Sequence, residues 1–453
     1  MTIDTLPDVA LLKIYDFYVE ERTEVWYTLV QVCRKWRCVV FGSPRRLDLR
    51  LYCTASTPVR ETLDVWPYLP IVVWGNGHQT WGVGNIVAAL EHNERICELS
   101  LRPVTGSQFQ RVLAAMQQPF PALTRLELQH RGETVLVDTA DSFLGGSAPP
   151  RLQTLWLDRI PFPGLPKLLL SATDLVHLLL WRIPHSGYIS PTALATCLSA
   201  LTRLERLHIG FQSPRSGPDQ RSRRPPPMTR TLLPVLTKFR FKGVDKYLED
   251  VVARIDAPLL DNLNITFFHQ LIFDTPQLAR FISRTPKFRA RDEARVVFSD
   301  LDVSVSLPQT FDGTLELAVS CRQSDWQLSS LAQVCGLSFL QTLIPTVERL
   351  YIQAGFSLLR WQDDIEDTQW LELFDPFTAV KDLYLSWEFA PRIAPILQGL
   401  TGERVTEILP SLQSLFLQGQ QPSEQVQEAV GQFVAARQLS NHPISVSRWE
   451  RTL

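Results

Sequence analysis

The feature that most constrains this chain is a short template, apolar–x–x–apolar–x–apolar, which returns through most of its 453 residues. It reads Ile96/Leu99/Leu101, Leu123/Leu126/Leu128, Leu152/Leu155/Leu157, Leu175/Leu178/Leu180, Leu204/Leu207/Ile209, Leu236/Phe239/Phe241 and Leu260/Leu263/Ile265. After a gap it resumes as Val347/Leu350/Ile352, Val380/Leu383/Leu385 and Leu412/Leu415/Leu417. Outside the gap the middle positions lie 23 to 33 residues apart, near the period of repeats that stack one strand and one helix per coil. The last two members alternate as on a strand, so both face one side and the residue between them faces the other. One such unit cannot bury its apolar side alone, and stacking on neighbours is what stabilises it.

The expected fold class is therefore α/β: an irregular array with a parallel sheet on its concave side and helices outside. Stretches at 106–116, 191–200, 246–255 and 276–283 have helical character and separate the strands. The gap from 263 to 350 equals about three periods. It holds Val296 to Phe298, Val303 to Leu307 and Leu315 to Val319, expected as strands of degenerate units. Upstream, Leu47, Leu49 and Leu51 alternate, and Leu69 to Val73 has strand character.

Composition bounds the function. With 45% hydrophobic and 20% charged residues the chain is globular, and a net charge of -2 supplies no global field for nucleic acid or an anionic membrane. A protein partner is expected instead. Met1 to Leu12 lacks a basic segment before an apolar stretch, and no apolar run reaches the roughly 18 residues of a spanning helix. The expectation is a soluble protein, cytoplasmic and/or nuclear. Seven scattered cysteines form no CxxC pair and are expected as buried free thiols in a reducing compartment.

Gly75-Asn76-Gly77 and Gly82-Val83-Gly84 continue into neither a phosphate loop nor a dinucleotide fingerprint, and are expected as loops. The eight histidines show no HExxH, and no GxSxG is present. No catalytic residue, metal or cofactor is expected. Gln212 to Arg230, rich in arginine and proline, and the acidic run Asp363 to Asp367 are expected as exposed insertions.

The first forty residues follow a different rule. Leu6-Pro7-Asp8 opens a helix, and Leu11, Leu12, Ile14, Tyr15 and Tyr18 give it one apolar face. Thr23 is placed to cap a second stretch, in which Val25, Trp26, Leu29, Val30, Cys33 and Trp36 continue the period, and Gly42-Ser43-Pro44 ends it. Three short helices bury little surface by themselves, so some of these side chains are expected to meet a partner. The same residues would also suit a plain three-helix cap.

Leu6-Pro7, the Leu11/Leu12/Ile14/Tyr15 face and Val32-Cys33-Arg34-Lys35-Trp36-Arg37, at their mutual distance, resemble the F-box. With the repeats behind it, the chain resembles fungal F-box proteins that carry degenerate leucine-rich repeats. The resemblance implies an F-box at 1–44, a connecting or capping segment at 45–95 and a leucine-rich-repeat-like solenoid at 96–453. It also implies docking on a Skp-type adaptor, and through it on a cullin, with Leu6, Pro7, Leu11, Ile14, Tyr15, Val32, Cys33 and Trp36 forming or supporting the docking surface. The implied function is substrate recognition in a Skp–cullin–F-box ubiquitin ligase. The alternative is an interaction scaffold outside any ligase.

The residues between the paired apolar positions form an outward column: Ser100, Glu127, Trp156, Leu179, His208, Arg240, Asn264, Tyr351, Tyr384 and Phe416. Arg206, Lys238 and Lys242 join His208 and Arg240 in an expected basic stripe, while Tyr351, Tyr384 and Phe416 form an expected aromatic row with Trp387 nearby. Basic clusters recognise acidic or phosphorylated segments, and aromatic side chains anchor interfaces. A protein target is expected across both.

Overall fold

A computed structural model describes residues 6–21, 31–41, 49–76, 82–132, 142–162, 164–214, 229–268, 274–288, 291–308, 313–321, 324–336, 340–355, 367–419 and 423–450. The chain divides into two compact units, the first comprising 1–189 with 196–204 and the second 190–195 with 205–453.

Unit 1 carries β1 (Arg50–Tyr52), β2 (Ile71–Asn76), β3 (Ile96–Thr105), β4 (Arg125–Arg131), β5 (Thr154–Asp158) and β6 (His177–Ile183), paired in sequence order and all parallel. Register follows the template: Leu51, Val73, Leu99, Leu126, Leu155 and Leu178 lie side by side. Each is at most 2% exposed. Helices such as Val83–Leu90, Gly106–Ala115 and Leu165–Ser171 return the chain between strands. The expected connecting segment 45–95 thus supplies two strands and two helices of this unit.

The two glycine-rich stretches adjoin elements more closely than expected of loops: Gly75 and Asn76 close β2, Gly77 lies outside the described residues, and Gly82 caps the helix Val83–Leu90, which Val83 and Gly84 open. Gly82 precedes that helix where a Cβ would stand 2.1 Å from the Thr54 carbonyl oxygen, so only glycine lets the backbones pass.

Unit 2 carries β7 (Arg206–Phe211), β8 (Thr231–Leu232), β9 (Lys238–Gly243), β10 (Ile255–Asp256), β11 (Asn262–Phe268), β12 (Glu293–Phe298), β13 (Asp302–Pro308), β14 (Thr314–Ser320), β15 (Arg349–Ala354), β16 (Asp382–Leu385), β17 (Ser414–Gln418) and β18 (Ser445–Trp449). Its main sheet runs β7-β9-β11-β14-β13-β12-β15-β16-β17-β18, and β8 pairs with β10 apart from it. The gap holds its three expected strands, yet they are not three parallel repeats. β13 is antiparallel to both β12 and β14, so the middle strand runs against the sheet.

Chain length dictates this. Only 299–301 separate β12 from β13, whereas a parallel crossover needs about a dozen residues or more. The Ser299 hydroxyl fixes that turn, accepting from the Asp302 amide at 3.2 Å and donating to Asp302 Oδ1 at 2.6 Å.

The helices of unit 2 bury one side each, as Leu278, Phe281 and Ile282 do from Pro276–Arg284. That helix takes its cap from the preceding repeat: the Glu249 carboxylate accepts from the Gln277 amide at 2.8 Å and the Leu278 amide at 2.7 Å. Arg437 is fully buried, with its two terminal nitrogens held by main chain, donating to the Val405 oxygen at 2.9 Å and the Leu412 oxygen at 3.0 Å. Cys53, Cys197, Cys321 and Cys335 are buried as expected, and burial pushes the thiols of Cys53 and Cys335 up to about 12. Cys33 and Cys97, half-buried, and Cys38, exposed on a short helix, depart from that expectation.

At the N-terminus, helices Asp8–Glu21 and Arg34–Phe41 are described, while the expected middle stretch with Thr23, Val25, Trp26, Leu29 and Val30 lies outside the described residues. So do Leu47 and most of both charged insertions.

Candidate functional site

In unit 2 the outward residues meet in one row: His208, Arg240, Asn264, Glu316, Ser306, Arg295, Tyr351, Tyr384, Phe416 and Ser447. Tyr351 and Tyr384 stack with ring centroids 4.2 Å apart, and Tyr384 and Phe416 at 4.4 Å, their planes within 10°. Parallel register makes the ladder, because identical positions of adjacent parallel strands sit about 4.8 Å apart. Burial pushes the Tyr384 phenol up to about 12, with Tyr351, its hydrogen-bonding neighbour, and the Asp382 carboxylate adding to the effect. The hydroxyl therefore stays protonated and available as a donor.

Trp449 completes this surface. From β18 its ring meets Tyr351 at 5.9 Å and Tyr384 at 5.6 Å, edge to face, and its indole N–H donates to the Leu385 oxygen at 3.4 Å. Trp387, expected beside the ladder, is exposed, and none of the described ring contacts of Tyr351, Tyr384 or Phe416 involves it. Arg295 stands 5.5 Å from the centre of the Tyr351 ring. It also pairs with Glu293 at 2.6 Å, and Arg349 pairs with Asp292 at 2.6 Å. The cations beside the ladder are thus already answered.

The basic stripe needs correction at His208. The side chain is 4% exposed, and burial, helped by the Arg240 charge, pulls its imidazole down to about 3. A buried imidazole beside a guanidinium cannot take a proton cheaply, so it is neutral at physiological pH. Arg206, Lys238 and Arg240 are exposed, with Arg206 opposite Lys238 and His208 opposite Arg240. Lys242 is half-buried, 5.9 Å from the Phe268 ring centre. Across the sheet the half-buried Glu316 accepts from Asn264 and lies within the field of Arg240; burial raises its carboxyl while that cation opposes the rise.

In unit 1 the corresponding row is Tyr52, Trp74, Ser100, Glu127, Trp156 and Leu179. Ser100 and Glu127, expected to face outward, are only 8% and 4% exposed. Glu127 accepts from Ser100 at 2.8 Å and from Arg125 Nε at 2.8 Å, and pairs with Arg102. The Arg102 guanidinium lies 3.4 Å from the centre of the Trp156 ring. Arg182 pairs with the buried Asp158, and His177 shares a 3.3 Å hydrogen bond with Thr154.

At the N-terminus, Leu11 and Trp36 are 2% and 3% exposed, one on each of the two described helices. Lys35 ties them, donating to the Leu6 oxygen at 2.6 Å and standing 3.7 Å from Asp8. Pro7 and Val32 are exposed, Val32 to 48%, while Leu6, Ile14 and Cys33 are half-buried. Tyr15 lies in the first helix, its side chain outside the described residues. Val9, which the sequence reading did not single out, is 68% exposed.

No family model matches the chain, and no curated protein matches it. Among solved structures, the chain is similar to the leucine-rich repeat-containing protein LegL7 from Legionella pneumophila, at 12% identity and a TM-score of 0.29 over 85% of this chain and 97% of that one. At that score the likeness carries no argument. The repeat architecture stands on the strand register alone: this is a mixed α/β protein whose template leucines fall in line from strand to strand.

Proposed function

We propose that the chain is a non-catalytic receptor subunit of a Skp–cullin–F-box ubiquitin ligase, working in the cytoplasm and/or nucleus. Its N-terminal helices dock on the adaptor, and the sheet face of unit 2 holds a protein target. The subunit raises the local concentration of that target near the transfer machinery and breaks no bond itself.

The observation that carries the reading is the split among N-terminal apolar side chains. Leu11 and Trp36 are already buried, yet Val9 and Val32 remain 68% and 48% exposed. Large aliphatic side chains left exposed on so small a module suit a protein interface.

The test is co-purification of the full chain with a Skp-type adaptor and a cullin. Val9→Asp with Val32→Asp, which changes exposed positions only, should abolish adaptor capture while unfolding by urea stays unchanged. Leu6→Ala with Pro7→Ala should weaken capture in the same way. An adaptor that never co-purifies with the folded wild-type chain defeats the proposal, and adaptor without cullin points to a scaffold outside the ligase. Hydrolytic or transferase turnover by the isolated chain would overturn its non-catalytic character.

A further inference from the structure

The cations on the face of unit 2 fall into two kinds. Beside the aromatic ladder, Arg295 and Arg349 have carboxylate partners at 2.6 Å. At the other end, Arg206 and Lys238 are exposed on adjacent parallel strands, and among the described residues neither has an ion-pair partner. Two like charges at directly opposed sheet positions repel each other, which costs stability unless an anion is brought in. Arg240 stands beside Lys238 on the same strand face, and among the described residues no ion pair is formed by it; the half-buried Glu316 lies within its field. One end of the face is therefore short of negative charge, and the other is apolar and electrically balanced.

We infer that unit 2 reads a two-part peptide, an acidic pair at Arg206, Lys238 and Arg240 and an apolar or aromatic pair on Tyr351, Tyr384 and Phe416, about seven residues apart. The spacing follows from the sheet. β9 and β15 are separated by five strand intervals in the order β9-β11-β14-β13-β12-β15. At about 4.8 Å per interval this is about 24 Å, which an extended chain covers in about seven residues. Asn264 and Ser306 lie along the way and offer hydrogen bonds to a crossing main chain. The inference rests on the proposal that this face holds a protein target, and it names that target segment's chemistry.

The experiment uses fluorescently labelled peptides with Glu-Glu at one end and Leu-Phe at the other, joined by Gly/Ser linkers of two, seven or twelve residues. Binding to the full chain is read by anisotropy. The seven-residue linker should bind about tenfold or more tighter than the two-residue one, which cannot reach both ends, and a few-fold tighter than the twelve-residue one, whose effective concentration is lower. Arg206→Glu with Lys238→Glu should bring the seven-residue peptide down to the affinity of Leu-Phe alone, and Tyr384→Ala to that of Glu-Glu alone. Replacing the glutamates by phosphoserine distinguishes the source of the charge: tighter binding assigns a phosphorylated target, equal binding an acidic one.

Affinity independent of linker length overturns the inference, as does no binding by any peptide or tighter binding of single-stranded DNA of equal length. Adaptor capture is measured on the same preparations. Capture with no peptide selectivity removes only this inference, whereas selectivity with no capture removes the ligase reading and leaves the peptide site standing.

Discussion

The sheet faces of the two units carry similar side chains and use them differently. In unit 1 the buried carboxylates are answered within the face: Glu127 holds Ser100, Arg102 and Arg125, and Asp158 holds Arg182. In unit 2 the arginines beside the ladder are answered, whereas Arg206 and Lys238 have no ion-pair partner among the described residues. The aromatic side chains divide similarly. Trp156 is covered by the guanidinium of Arg102, whereas Tyr351, Tyr384 and Phe416 stack on one another and stay half-exposed. An outward position on a strand thus fixes which side a residue takes; its cross-strand neighbours decide whether it is left for a partner.

The sharpest way to break this comparison is Glu127→Ala. It leaves two arginines facing each other over a site where the lost carboxylate was 4% exposed. Removing one partner of a buried pair costs several kcal/mol, and the partial exposure of both arginines lowers that to about 2–3 kcal/mol. Urea unfolding should show this loss, with Arg102→Ala in the same chain recovering part of it and peptide affinity unchanged. A surface-like loss under 0.5 kcal/mol would mean that unit 1 has no more self-sufficient a face than unit 2.

Tyr384→Ala is the counterpart in unit 2. Its ring stacks on both sides, and each aromatic pair contributes about 0.5–1.5 kcal/mol beyond area burial, so about 2 kcal/mol of stability is expected to go. Peptide affinity should fall with it, which Glu127→Ala cannot cause. Tyr384→Phe keeps the stacking and isolates the hydroxyl; it should retain most of the stability.

The inward half of this architecture was legible because burial and alternation are local. Leu99, Leu126, Leu155 and Leu178 announce their side by sequence spacing, and the register bears this out. The reversal at β13 was also written in the spacing, since Phe298 and Val303 stand too close for a helix between parallel strands. Reading the gap as whole periods hid it, and with it the outward residues Arg295 and Glu316, which alternate with Ala294/Val296 and Leu315/Leu317. Trp449 was not legible. Its strand, Ser-Val-Ser-Arg-Trp, lacks the template, and its ring reaches Tyr351 across the intervening strands. The burial of His208 depends likewise on what surrounds it in three dimensions.

His208 gives a smaller, pH-dependent effect. Its native imidazole is pulled to about 3 from the usual 6.5, so the unfolded chain takes up a proton first as pH falls. The stabilising effect of the neutral ring is complete above about pH 6.5 and is lost progressively down to about pH 3. Between pH 7 and 5 this amounts to about 1–2 kcal/mol. Glu249 works in the opposite sense, because burial raises its native carboxyl to about 6 and the folded state gains on protonation below that. Unfolding of His208→Gln should therefore depend less on acid than the wild type across pH 7 to 5. Acidic-peptide affinity should stay flat over that range, and a rise would return His208 to the cationic stripe.

The smallest effect discriminates most finely between the faces. Arg206→Ala and Lys238→Ala remove exposed, unanswered charges, so each should change stability by less than about 0.5 kcal/mol, and the double variant should relieve repulsion and gain slightly. Arg102→Ala, by contrast, uncovers Trp156 and strips Glu127 of one partner, at a cost of about 1–2 kcal/mol. Urea midpoints of the three single variants and the double variant, measured at low and high salt, check this. Salt should erase the small gain in unit 2, where the charges are hydrated, and leave most of the loss in unit 1, where the carboxylate is buried. Equal losses at Arg206 and Arg102 would mean that Arg206 has an answering group after all, and the face of unit 2 would then have no charge left to offer a target.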